Sequence, residues 1–231
     1  GILHLQDGDN TTIFLGNSSY DDGVIQYYNG SVHLKTGSSN GDRLFQVSTA
    51  GSERFRVDSA GRLLLGTVTE GHTSADDLTI ASTGGATGIT LRSDTDEGGR
   101  IFFSDGTSGD AEYEGVIGYD HGSNYMYFST NHVEKLRITS SGRLLLGTSV
   151  DSIFNGGRNA SFQQEGTDAA TSAFAITRNS NDANPSYISF GKSRGTSAGA
   201  NTAVQNGDVI GTIEFNAGDG SGAFNPHALI K

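Results

Sequence analysis

Glu53-Arg-Phe-Arg-Val-Asp-Ser-Ala-Gly-Arg-Leu-Leu-Leu-Gly-Thr67 returns 81 residues later as Glu134-Lys-Leu-Arg-Ile-Thr-Ser-Ser-Gly-Arg-Leu-Leu-Leu-Gly-Thr148. Ten of the fifteen positions are identical and three more are conservative, with no gap. Self-similarity at a fixed spacing marks a repeated structural unit. In the first copy Phe55 and Val57 alternate with Arg54, Arg56 and Asp58, which is the period of a strand with two unlike faces. Ser-Ala-Gly (59–61) and Ser-Ser-Gly (140–142) then supply a turn, glycine taking the left-handed backbone without strain. The Leu-Leu-Leu strand that follows is apolar on both faces. Leu63, Leu64, Leu65 and Leu144, Leu145, Leu146 are therefore expected to be buried, at least one of each set against another chain.

Further landmarks recur in the same order on either side. Ile13-Phe-Leu-Gly16 matches Ile101-Phe-Phe-Ser104 and Ile188-Ser-Phe-Gly191. Val24-Ile-Gln-Tyr27 matches Val116-Ile-Gly-Tyr119 and Val209-Ile-Gly-Thr212, while Gly88-Ile-Thr-Leu-Arg92 matches Phe174-Ala-Ile-Thr-Arg178. A shorter echo sets Phe45-Gln-Val-Ser-Thr-Ala-Gly51 against Phe55–Gly61. The expected organisation is three units, residues 1–67, 68–148 and 149–231, the first lacking its beginning and the third its end. Gly/Asp/Asn/Ser clusters punctuate the strands, and no helical period of ten or more residues is present. The expected fold class is all-β.

Leu, Ile, Val and Phe together number 51 of 231 residues, about 22 %, close to the level at which a charged chain stays unfolded. A chain so poor in large aliphatics, with 34 glycines, folds most economically by burying them between copies of itself. The formal net charge of −11, without a basic stretch, argues against nucleic-acid and anionic-membrane partners. With no cysteine, disulfides and thiolate zinc sites are excluded. Apolar runs of three or four residues are far too short for membrane insertion. The chain opens on Gly1 inside a strand-like stretch, and its third unit reaches Lys231 without a Glu-Arg phrase. The expectation is an internal shaft segment, with another such phrase and turn beyond Lys231.

The Glu-(Arg/Lys)-x-Arg-(Ile/Val)-x-Ser-x-Gly-Arg-Leu-Leu-Leu-Gly-Thr phrase resembles one that recurs in bacteriophage tail fibres, particularly marine and cyanophage ones. Gly207–Gly220 followed by Phe224–Lys231 looks like a second phrase of the same fibres. The resemblance implies a parallel homotrimer in the virion, with β-structured knobs joined by interwound β shaft segments. It also implies a role in host attachment, with other virion tail proteins as partners and host surface glycan as a possible contact. Closed threefold winding would supply the missing core and remove sheet edges.

Patterns that suggest chemistry each have a plainer reading, and no catalytic, cofactor or metal residue is assigned. Gly195-Thr-Ser-Ala-Gly199 has the form of a nucleophile elbow but lacks a helix-forming stretch after Ser197, so it reads as a loop. Asp94, Asp96 and Glu97, with Asp105 beyond, imitate a calcium loop without flanking helices, and Asn179–Asn184 lacks most of those carboxylates. Asp7, Asp9 and Asn10 are a fainter version. Asp110, Glu112 and Glu114 alternate as on one strand face, the only carboxylate set suited to glycoside hydrolysis. The six histidines (His4, His33, His72, His121, His132, His227) show no ligand spacing. Glycosylation triplets at Asn10, Asn17, Asn29 and Asn159 are incidental in a phage protein. Arg56, Arg62, Arg137 and Arg143 recur beside Glu53 and Glu134, and the expectation for them is carboxylate pairing between neighbouring chains or a solvated charged face. A non-enzymatic fibre segment leads the readings; a polysaccharide-degrading spike and a bacterial extracellular filament or adhesin are the rivals.

Overall fold

A computed structural model describes residues 11–15, 23–28, 31–35, 44–154, 157–220 and 223–230. Among them every regular element is a strand except one 3-10 turn, Gly109–Glu112, so the chain is all-β. No described helix is long and apolar enough to cross a membrane. The chain divides into two compact units, residues 1–90 and 91–231.

The first compact unit holds two sheets. Strands β1 (Thr11–Leu15), β2 (Gly23–Tyr28) and β3 (Ser31–Lys35) form an antiparallel meander. Strands β4 (Phe45–Thr49), β5 (Ser52–Val57), β6 (Leu63–Leu65) and β7 (Leu78–Ile80) form the other, antiparallel until β7 joins β6 in parallel. The second compact unit begins with β8 (Gly98–Phe103), β9 (Gly115–Asp120), β10 (Tyr125–Thr130), β11 (Val133–Ile138) and β12 (Leu144–Leu146). The short β13 (Ile153–Phe154), β14 (Arg158–Asn159) and β15 (Phe162–Gln164) follow, then β16 (Ile213–Gly218) and β17 (Ala223–Ile230). Its sheets have the orders β15-β12-β11-β10-β9-β8 and β14-β13-β17-β16.

The repeat is wider in three dimensions than in sequence. In the β4–β5 hairpin Phe45 faces Val57, Val47 faces Phe55 and Thr49 faces Ser52, with a bulge between Val47 and Ser48. The β10–β11 hairpin reproduces each pairing 81 residues on: Met126 with Ile138, Phe128 with Leu136, Thr130 with Val133, and a bulge between Phe128 and Ser129. Both turns have two left-handed residues, Ala50-Gly51 and Asn131-His132, whose twist matches that of the flanking strands. The leucine strands repeat as well, Arg56 facing Leu64 and Arg137 facing Leu145. The 81-residue structural repeat therefore takes in Phe45–Thr49 and Tyr125–Thr130 as well.

Two of the upstream landmarks fall into one register too. Ile13 faces Ile25 across β1–β2, and Ile101 faces Ile117 across β8–β9. The third strand differs. In the second copy β10 pairs with both β9 and β11, whereas in the first β3 pairs with β2 and a separate β4 pairs with β5. One extra strand accounts for the longer stretch from Val24 to Glu53 than from Val116 to Glu134.

One expectation needs correction. Gly88–Arg92, Phe174–Arg178, Ile188–Gly191 and Val209–Thr212 carry the strand period but belong to no strand of this chain. A strand exists only where a neighbour takes its hydrogen bonds, and here the described residues supply none. Within the single chain the leucine triplets are buried unevenly. Leu64 is 1 % exposed and Leu145 0 %, but Leu65 is 42 % and Leu146 37 % exposed.

Cross-strand pairing explains the difference, because directly opposed residues share a face. One row runs Gln46–Arg56–Leu64–Thr79, and its counterpart runs Tyr127–Arg137–Leu145–Gln163. The buried leucines thus lie on the arginine face, under long polar side chains. The opposite face carries Phe45–Val57–Leu63–Leu78 and Val47–Phe55–Leu65–Ile80. Its counterpart carries Met126–Ile138–Leu144–Phe162 and Phe128–Leu136–Leu146–Gln164. That second face is apolar and half-exposed.

Candidate functional site

The repeated arginines form the most developed side-chain network, and a backbone bulge makes it possible. In a regular strand Glu53 and Arg56, three apart, lie on opposite faces. Phe55 pairs with Val47 but Glu53 pairs with Ser48, leaving Arg54 as the extra residue of the bulge. Glu53 is thereby turned onto the face of Arg56. The guanidinium then donates Nε–H to Oε1 and Nη2–H to Oε2, both at 2.5 Å. Lys135 takes the bulge position in the second copy, and Arg137 donates to both oxygens of Glu134 at 2.7 Å. Hydrogen bonding from Arg56 holds the Glu53 carboxyl below the usual carboxylate range. Glu134 in turn raises Arg137.

The second arginine of each phrase fastens the crossover to the parallel strand. Arg62 donates to Asp58 Oδ2 at 2.8 Å and to Asp76 Oδ2 at 3.0 Å, the latter just ahead of β7. The other oxygen of Asp58 accepts the backbone N–H of Ala60 at 2.9 Å and of Arg62 at 3.0 Å, closing the Ser-Ala-Gly turn. Those donors, Arg62 first, lower the Asp58 carboxyl. In the second copy Thr139 Oγ1 accepts from the Arg143 N–H at 3.1 Å, and the Arg143 guanidinium pairs with Asp151. Of the two arrangements expected, pairing between chains or a solvated charged face, neither describes the single chain: each of these arginines has a carboxylate partner in its own chain. The spacing is three residues for Arg56 and Arg137, four for Arg62 with Asp58, and eight for Arg143 with Asp151.

Polar residues opposite the buried leucines complete the layer. Gln163, 3 % exposed, donates to Val150 O at 3.0 Å and to Glu165 Oε1 at 2.7 Å, and accepts from the Ser152 N–H at 3.0 Å. Thr79 does the same for the first copy, accepting from the Gly71 N–H at 2.9 Å. Above the second copy, Arg137 stacks on Tyr125, 3.8 Å from Cζ to the ring centroid.

The remaining sequence candidates are dispersed. Asp94 and Asp105 flank the six residues of β8, about 20 Å of strand, so they do not converge. Asp94 Oδ1 is instead used by the N–H of Thr95 at 2.7 Å. In the matching loop Arg178 occupies the place of a cation. Its Nη1 and Nη2 donate to Asp182 at 2.5 and 2.6 Å, and this lowers the carboxyl. Asp7, Asp9 and Asn10 lie outside the described residues, as do Asn17 and Asn29. Asn159 lies on β14 and donates to Asp151 Oδ2 at 3.3 Å. Ser197 lies in a loop between Arg194 and Thr202, whose N–H and carbonyl bond at 3.1 Å, and no helix follows it.

Asp110, Glu112 and Glu114 do not alternate along a strand, because residues 109–112 coil into the 3-10 turn. The fold gathers Asp110 and Glu114 around a residue that sequence spacing did not single out. His132, at the tip of β10–β11, lies 3.9 Å from Asp110 and 3.6 Å from Glu114. The Tyr113 hydroxyl donates to Asp110 at 2.7 Å. Only hairpin pairing brings His132 there, so no local spacing announced it. An open cavity of about 540 Å³ is lined mainly by apolar side chains, including Phe190, Val209, Ile210 and Ile230. Its carboxylate, Asp208, is held by Arg194 through two bonds of 2.7 Å. No group of three metal-binding side chains occurs among the described residues. The arginines described above are paired with carboxylates of the same chain. Protein-family models and curated proteins contain no match to the chain.

Proposed function

We propose that this chain is a structural and adhesive segment of a bacteriophage tail fibre. It works in the virion as a parallel homotrimer, joined to other tail proteins, and supports attachment to the host surface without catalysing a reaction. The observation that carries this reading is the imbalance of apolar burial. Among the described residues three apolar side chains are buried (Leu64, Val116 and Leu145), whereas 32 large ones are exposed. Monomeric proteins rarely expose contiguous apolar surface on that scale. Repeats that cannot bury their strands alone gain a core by winding around copies of themselves. Strand-like segments without a neighbour, such as Phe174–Arg178, fit interwound shaft in which another copy takes the hydrogen bonds.

Native mass spectrometry and light scattering at micromolar concentration test the assembly, with three chains per particle expected. A stable single-chain mass overturns the reading. Incubating the particle with host capsule or lipopolysaccharide tests the second half. Release of reducing ends overturns the non-enzymatic assignment and favours a depolymerising spike. Antibody against the chain should decorate the tail of intact phage in electron micrographs.

A further inference from the structure

We infer that the bare apolar face of each repeat hairpin is the surface on which copies of this chain meet, with the arginine face turned outward. This deepens the trimeric reading and rests on it. The arginine face already has its cover: Leu64 and Leu145 are sealed, Glu53 and Glu134 are bonded within the chain, and Gln163 has all its partners. Among the described residues the other face stays half-exposed. Its rows of Phe, Val, Leu, Ile and Met contain no charge, and Gln164 is their one polar side chain.

The area fits an interface between copies. The eight most exposed side chains in those rows are 37–52 % accessible. Taking the roughly 150–250 Å² of an aromatic side chain as an upper guide, the two hairpins together offer at most roughly 500–800 Å² per copy, against the ~800 Å² that each partner gives to a specific interface. Chemistry narrows the occupant. An uncharged face leaves the charges of an anionic glycan or acidic protein unpaired on burial, whereas an identical face brings none. The face also occurs twice per chain with the same internal register, so each hairpin can meet its own counterpart in a second copy.

The chain has no cysteine, so single cysteines report accessibility directly. Leu65→Cys and Leu146→Cys probe the apolar face, and Gln46→Cys, exposed on the arginine face, is the control. Leu63→Cys stands in if Leu65→Cys does not fold, as judged by circular dichroism. Each full-length variant is treated with a maleimide in the assembled state and after dilution to single chains. Labelling of the apolar-face cysteines is expected at least tenfold slower than at position 46 in the assembly, and comparable to it after dilution. A particle of three chains in which both sites label equally fast overturns the inference and leaves the trimer standing. A single-chain mass for the undiluted protein removes both.

Discussion

The ring of Tyr127 lies across the backbone of Gly118, its cross-strand neighbour, and its hydroxyl accepts the Nε–H of Arg100 at 2.9 Å. A β-carbon at position 118 would overlap the ring. Gly118→Ala is therefore expected to destabilise the fold by about 1–3 kcal/mol, the cost of overpacking. Urea denaturation measures it. In a Tyr127→Ala background the same substitution should cost much less, because the obstructing ring is gone.

Leu64 and Leu145 occupy one position in two copies of a hairpin, each sealed within its own chain. Leu64→Ala and Leu145→Ala should each lower stability by about 2–5 kcal/mol. Leu65→Ala and Leu146→Ala remove half-exposed side chains and should cost a single chain less. Melting below the concentration at which copies associate separates the two classes.

Glu134 and Arg137 pair along one strand, so their coupling should be independent of assembly. In a double-mutant cycle with Glu134→Gln and Arg137→Gln, stability losses are expected to be non-additive by about 1 kcal/mol. The native mass should be the same in all three variants. A change of mass in the single variants alone would indicate that the pair acts between chains.

Gly66 and Gly147 follow the leucine strands with φ of +72° and +76°. A β-carbon there would collide with the carbonyl oxygen of Ala81 or Glu165, at the end of the parallel strand. Gly66→Ala and Gly147→Ala should each cost about 1–3 kcal/mol. Amide exchange at Ala81 and Glu165, whose N–H groups bond to Leu65 and Leu146, should accelerate.

Acid should weaken the fold through carboxylates held by arginine. Arg56 lowers Glu53, Arg62 lowers Asp58, Arg178 lowers Asp182 and Arg194 lowers Asp208. A carboxyl depressed in the folded state contributes stability above its unfolded value, near 4, and that contribution disappears as pH falls through the folded value. The melting temperature should therefore fall below about pH 4. Asp208→Asn should melt lower than wild type at neutral pH, and the gap should narrow in acid.

The all-β character, the Ser-x-Gly turns and the repeat of the Glu-Arg phrase were legible in the amino-acid order alone. Period-2 alternation and glycine placement are local properties, and local backbone preference follows from them. Recurrence of Ile-Phe and Val-Ile likewise anticipated the shared register of β1–β2 and β8–β9. The upstream half of the repeat escaped notice, because Phe45–Thr49 and Met126–Thr130 conserve pairing positions more than residues.

Tertiary pairing decided the rest. Simple alternation separates Glu53 from Arg56, and only the bulge at Arg54, a product of how two strands pair, brings them together. Three leucines in a row do not say which one is buried. The cross-strand partners do, setting Leu64 and Leu145 beneath arginine and leaving their neighbours on the bare face. His132 meets Asp110 and Glu114 for the same reason: contacts between residues distant in sequence depend on strand order, and no local pattern encodes that order.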